Sequence, residues 1–187
     1  MKHVIIVQGM PDRDEYYSPD GQTMSNSHFI PWLQKELQVR DIKADAPEMP
    51  HAYQPDYATW SREFERFDVT PETVLVGHSC GAGFLVRWLS EHQDVVVAKV
   101  ILVAPWLNTK HEHGTTMFDF VVDPQLTTRQ QLVVFESTDD MEEIKDSVTK
   151  LRAELPHAHY VTFENHGHFC TGDIGLTFPV LLEECVK

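Results

Sequence analysis

Val74-Leu75-Val76-Gly77-His78-Ser79-Cys80-Gly81-Ala82-Gly83-Phe84-Leu85 decides how the rest of the chain is read. It opens on an apolar, β-branched run, closes on a helix-forming pattern, and carries Gly77-x-Ser79-x-Gly81 between them. Strand, tight turn and helix in that order are the context a nucleophile elbow requires. A serine on so sharp a turn sits in strained backbone, at positive φ. Glycines two residues before and after it let strand and helix approach without a Cβ clash. The serine Oγ is pushed clear of the fold. Behind it, the helix N-terminus aims free N–H groups and a positive dipole end at any developing anion.

Two other glycine motifs compete for this stretch. Gly77-x-x-x-Gly81-x-Gly83 has the look of a dinucleotide-binding turn, but such a turn belongs at the first strand, and 76 residues precede Gly77. No Tyr-x-x-x-Lys pair follows, as a short-chain dehydrogenase would need. A P-loop is excluded because no Gly-Lys-Ser/Thr follows the glycines.

Length and composition narrow the setting. A chain of 187 residues reads as one domain, residues 1–187, with enough sequence for a sizeable core. Its 15 basic against 29 acidic residues argue against nucleic acid as a partner. Three widely spaced cysteines with no C-x-x-C point away from a disulfide framework and towards a reducing cytoplasm. The opening Val4-Ile5-Ile6-Val7 run is too short for a signal peptide and reads as a buried strand. No stretch is long enough to span a membrane.

Outward from the elbow, strands and helices alternate. Strands are expected at residues 3–7, 42–46, 73–76, 99–104, 132–135 and 159–163. Helices are expected from Ser25 or Ser27 to about residue 40, and at 55–67, 80–92, 141–155 and 173–186, the last bent near Pro179. The 55–67 helix follows from Tyr57, Trp60, Phe64 and Phe67, spaced 3, 4 and 3. The polar segment from Gln8 to Asn26 is a functional-loop candidate. The segment 105–130 is irregular, and Trp106, Met117 and Phe118 are read as lining an acyl pocket. This order implies an α/β fold of three layers: a mostly parallel sheet of about six strands with helices on both faces. Ligands bind beyond the carboxyl ends of such strands. Gly9, Ser79, Pro105, Asp139 and His166 fall there.

A serine nucleophile needs a base, and the base an orienting carboxylate. In hydrolases with this elbow both follow the serine, acid first, on late loops. The strand ending at Phe135 is followed by Glu136-Ser137-Thr138-Asp139-Asp140, and the last strand by Glu164-Asn165-His166-Gly167-His168-Phe169. Two aspartates and two histidines therefore occupy the expected loops. The oxyanion donors expected from the motif are the N–H of Cys80, next after the nucleophile, and one from the loop after the first strand, where Met10 stands. Cys80 itself reads as a packed thiol, though a helix N-terminus can also lower a thiol pKa. His111-x-His113, His157-x-His159 and His166-x-His168 invite a zinc reading, but none has H-E-x-x-H spacing. No metal and no cofactor are expected.

Together these motifs resemble a known family. Near residue 4 stands a Val-Ile strand. Then come Trp32-Leu33-Gln34-Lys35-Glu36-Leu37, Gly77-His78-Ser79, Val100-Ile101-Leu102-Val103, Ser137-Thr138-Asp139-Asp140 and Gly167-His168-Phe169. They are similar to the small serine hydrolases that include retinoblastoma-binding protein nine, a trimmed branch of the α/β-hydrolase fold. The resemblance implies Ser79 as nucleophile, Asp140 as orienting acid and His168 as base, 61 and 28 residues apart in turn. It departs from the family after the acid, where Met141-Glu142-Glu143-Ile144 replaces the usual prolines. That departure keeps Asp139 as the alternative acid. The implied function is hydrolysis of small carboxylic esters, with amides and thioesters as further acyl donors, through an acyl-enzyme. A hydrolase-fold binding scaffold with an unused triad is the second reading.

Overall fold

The computed structural model describes residues 2–111 and 113–187. In chain order its elements are β1 His3–Val7, α1 Arg13–Tyr17, a 3₁₀ turn Met24–Asn26, α2 Ile30–Gln38, β2 Lys43–Asp45, α3 Tyr57–Phe64, β3 Thr73–His78 and α4 Cys80–Glu91. They continue with β4 Lys99–Val103, α5 Leu126–Arg129, β5 Gln131–Ser137, α6 Glu142–Glu154, β6 His159–Phe163, α7 Thr171–Ile174 and α8 Pro179–Val186.

The six strands form one parallel sheet in the order β2-β1-β3-β4-β5-β6. β1, β3 and β4 are buried along their whole length, which is why they read as unbroken apolar runs. The chain moves one way from β1 to β2 and the other way from β3 onwards. Right-handed crossovers then put α2 on one face and α3 and α4 on the other. The packing agrees. Trp60 and Phe64 of α3 meet Phe84 edge-on at ring distances of 5.7 and 5.5 Å, and Phe64 also meets Trp88. On the opposite face α2 packs against α8. The reversal of strand order lies between β1 and β3, so the crevice for a ligand opens beyond their carboxyl ends.

Helix ends depart from expectation in two places. α2 begins at Ile30, with Pro31 in its first turn, and not at Ser25 or Ser27. The Ser27 hydroxyl donates instead to the Thr23 carbonyl at 3.1 Å, closing the 3₁₀ turn that precedes the helix. The expected 173–186 helix is two short ones, because Gly175 takes a left-handed conformation at φ 75° and Pro179 starts the next helix. No helix among the described residues is long and apolar enough to cross a membrane.

Candidate active site

Ser79 sits between β3 and α4 at φ 53°, ψ −117°, a conformation costing about 1–3 kcal/mol that its surroundings must hold in place. Its N–H donates to the Val103 carbonyl at 2.9 Å, and its carbonyl accepts from Ala82, Gly83 and Trp106. The flanking glycines are required by contact. A Cβ on Gly77 would lie 2.5 Å from Ala82 Cα, and one on Gly81 would lie 2.3 Å from the Gln8 carbonyl oxygen. Gly83, which the elbow motif does not include, is as tight: its Cβ would fall 2.0 Å from the Trp106 carbonyl oxygen.

The register of the sheet brings the oxyanion candidates together. Val7 is paired with Gly77, so Gly9 follows β1 alongside Ser79, and a Cβ on Gly9 would stand 3.3 Å from Ser79 Cβ. Among the described residues neither the Cys80 nor the Met10 N–H has an acceptor, so both remain free to donate. The Cys80 thiol is buried, and burial pushes its pKa up, overriding any lowering by the helix end.

The paired acids take different roles. Asp140, whose side chain is 1% exposed, accepts from His168 Nδ1 at 3.0 and 3.1 Å through its two oxygens. A carboxylate can only accept, so Nδ1 carries the proton and Nε2 is the free nitrogen. Asp139 accepts from the Ser137 hydroxyl at 2.5 Å and the Gly167 N–H at 3.1 Å, which ties the acid loop to the histidine loop. These bonds hold its carboxyl below the usual range. Asp139 does not reach His168, and α6 is entered through Met141 without a side-chain cap.

His166 turns away from this cluster: its Nδ1–H donates to the Glu164 carbonyl at 2.8 Å. The histidine loop is held by a residue that the sequence reading passed over. Asp173 Oδ2 accepts from the N–H groups of His168 and Cys170, each at 3.0 Å. Its signal was the spacing Cys170-x-x-Asp173, a capping-box pattern with an unusual cap residue. Below the loop, Phe169 is fully buried and stacks on Phe178 at 5.4 Å. His78 is also buried, and its Nε2–H donates to the His168 carbonyl at 2.9 Å. Burial and the neighbouring His168 hold its pKa well down, so it is a neutral prop.

Ser79 and His168 together line two small cavities. One, of about 200 Å³, is completed by Met10, Glu15, His28, His78 and Cys170. The other, of about 140 Å³, is completed by Met10, Trp106, His113, Met141, Glu143 and Ile144. Among the described residues no hydrogen bond yet joins Ser79 Oγ to His168. Such bonds are commonly long without substrate and tighten when it binds.

Trp106 lines the second cavity, with its indole N–H donating to Glu143 at 3.2 Å. Met117 and Phe118 do not line either one. Both are buried in the core, Phe118 wedged between Gly83 and the Trp106 ring at 4.9 Å. His28 is a cavity residue missed from sequence. It stands at φ 56°, and its Nδ1 accepts the Thr171 N–H at 3.2 Å. Burial and His168 lower its pKa, so it is neutral with its proton on Nε2. The paired histidines 111 and 113 face Asp119 and Glu143, 3.9 and 3.7 Å away. No group of three metal-ligating side chains converges among the described residues.

Comparison with known proteins agrees with this geometry. The ydeN gene product from B. subtilis superposes with a TM-score of 0.84 at 22% identity, over 100% of this chain and 97% of that one. Est1E from Butyrivibrio proteoclasticus gives 0.68 at 12% identity, over 98% and 85%. LipS and LipT, described as metagenome-derived lipolytic enzymes, give 0.66 at 12%, over 98% and 91%. These likenesses establish the α/β-hydrolase fold. No curated protein matches the sequence. The serine hydrolase family model matches residues 19–176, from the segment before α2 to the loop after α7, and the chain therefore belongs to the serine hydrolase family.

Proposed function

We propose that the protein hydrolyses small carboxylic esters through an acyl-enzyme on Ser79, with amides and thioesters as further acyl donors. The observation that carries this reading is the hydrogen bond from His168 Nδ1 to the shielded Asp140, on an imidazole that shares both cavities with Ser79. His168 Nε2 takes the Ser79 proton as Oγ attacks the acyl carbonyl. Asp140 holds the ring in that tautomer and stabilises its cation. The oxyanion accepts from the Cys80 and Met10 N–H groups, each worth about 2.7–4 kcal/mol of barrier. Collapse of this intermediate expels the alcohol, protonated by His168. Water then attacks the acyl-serine with His168 again as base. These steps use side chains and backbone of this chain alone and call on no cofactor. The three cysteines are all free, which supports a reducing, cytoplasmic setting.

The test is hydrolysis of p-nitrophenyl acetate by purified protein. Ser79→Ala should lower kcat by several orders of magnitude. Undiminished turnover by Ser79→Ala rejects Ser79 as nucleophile and leaves the fold as a binding scaffold.

A further inference from the structure

The cavities at Ser79 differ in where they lead. The 140 Å³ one is a short pocket against Trp106 and α6. His28 lines the 200 Å³ one and also a much larger open groove of about 790 Å³. That groove lies within the range of small-molecule sites. His28 stands just before α2, Pro31, Trp32 and Lys35 lie on it, and the polar segment 22–26 and Leu176 and Thr177 of the loop between α7 and α8 complete the lining. From Pro31 to Lys35 is four residues, about 6 Å at the helical rise. Leu176 is 62% exposed, an apolar side chain left to water beside a partly buried tryptophan. Lys35 is the only formally charged side chain in the lining, and among the described residues it makes no ion pair. At the junction stands a histidine held neutral by burial and by His168, with its Nδ1 on the Thr171 N–H. Glu15 in the cavity at Ser79 and Lys35 in the groove are the only Asp, Glu, Lys or Arg side chains of the two linings, and neither stands at the junction.

We propose that this groove seats a long, linear, apolar arm of the ester, running from Ser79 past His28 along α2, while the Trp106 pocket takes the short arm. The inference rests on the Ser79 hydrolase reading above. The occupant is a substrate chain because the groove and the cavity at the reacting serine share His28 as a wall. An apolar chain fits because its methylenes would cover Leu176, Trp32 and Pro31. His28 is a positioning residue here: it lines both groove and cavity, and with Nδ1 taken by the Thr171 N–H its Nε2–H is the donor left to orient the ester end.

The experiment measures kcat/KM for two ester series, p-nitrophenyl acetate to octanoate and the matching alkyl acetates, on wild type and Leu176→Asp. Fluorophosphonate labelling of Ser79 is followed alongside. One series should rise by roughly two- to fourfold per methylene in wild type, in keeping with the burial of each CH₂. The series that rises assigns the long arm to the acyl or to the alcohol side. Leu176→Asp should lower the longest ester of that series at least tenfold more than the acetate. Flat profiles in both series, or an equal loss on short and long esters in Leu176→Asp, overturn the groove assignment while labelled Ser79 leaves the hydrolase reading standing. Absence of labelling overturns both.

Discussion

The elbow, residues 77–83, and the segment 105–130 touch each other, yet one is dictated locally and the other is not. In the elbow each glycine answers to a backbone atom that would lie 2.0–2.5 Å from an added Cβ: Gly77 to Ala82, Gly81 to Gln8, Gly83 to Trp106. The segment carries apolar residues without a period, and their destinations diverge. Trp106 borders the cavity at Ser79, while Met117 and Phe118 are buried in the core beneath it. Chemistry is fixed by short-range sterics, whereas the shape of the substrate site is fixed by which distant element each loop side chain finds first.

The comparison sharpens most at the acid. Asp140→Asn should lower kcat by about 10³–10⁴, because the amide favours the wrong histidine tautomer. Asp139→Asn should stay within a few fold, since an amide oxygen can still accept from Ser137 and Gly167. Steady-state kinetics on both variants decides it, and the reverse ranking would return the orienting role to Asp139.

Glycines give the next largest contrast. Gly83→Ala forces a Cβ onto the Trp106 carbonyl oxygen and should abolish stable folding or lower stability by several kcal/mol. Gly114→Ala, in the irregular segment, meets nothing within 4 Å and should change stability by no more than about 0.5 kcal/mol. Denaturant midpoints check the pair, and comparable losses would erase the distinction between the regions.

Phe118→Ala comes third. Removing a buried phenyl should cost about 3–5 kcal/mol of stability. The ratio of kcat/KM between short esters should move little, because Phe118 does not line either cavity at Ser79. A large change in that ratio at retained stability would restore Phe118 to the pocket.

Much of this architecture was readable in advance, for physical reasons. Buried parallel strands leave unbroken apolar runs, and β1, β3 and β4 show them. The elbow and the two late loops are short local signals, so Ser79 and the paired acids and histidines stood out. The choice between Asp139 and Asp140 needed the turn itself, because adjacent residues point apart and either order is possible in sequence. His28 was hidden because its placement at the cavity depends on Thr171, 143 residues away. Asp173 was hidden because a cysteine stands where a serine or threonine would have announced the capping box. The final helix was read as one because its apolar pattern runs on across Gly175, whose left-handed turn stops it.

The smallest effect is a pH dependence of stability. His28 and His78 both have folded pKa values below their unfolded value near 6.5. As pH falls through that value the unfolded chain takes up protons that the folded one does not, so stability declines. The thermal midpoint should drop by a few degrees between pH 7 and pH 5, and His28→Asn should flatten part of that slope. A midpoint that rises on acidification over this window would contradict the neutral assignment of both rings.

The central claim is that the strained serine at the elbow is the nucleophile and His168 activates it. It is tested most directly by treating the protein with a fluorophosphonate and locating the adduct by peptide mass spectrometry. A single adduct on Ser79 is expected, formed orders of magnitude more slowly in His168→Ala. An adduct on another residue, or equal labelling of Ser79 without His168, would contradict it.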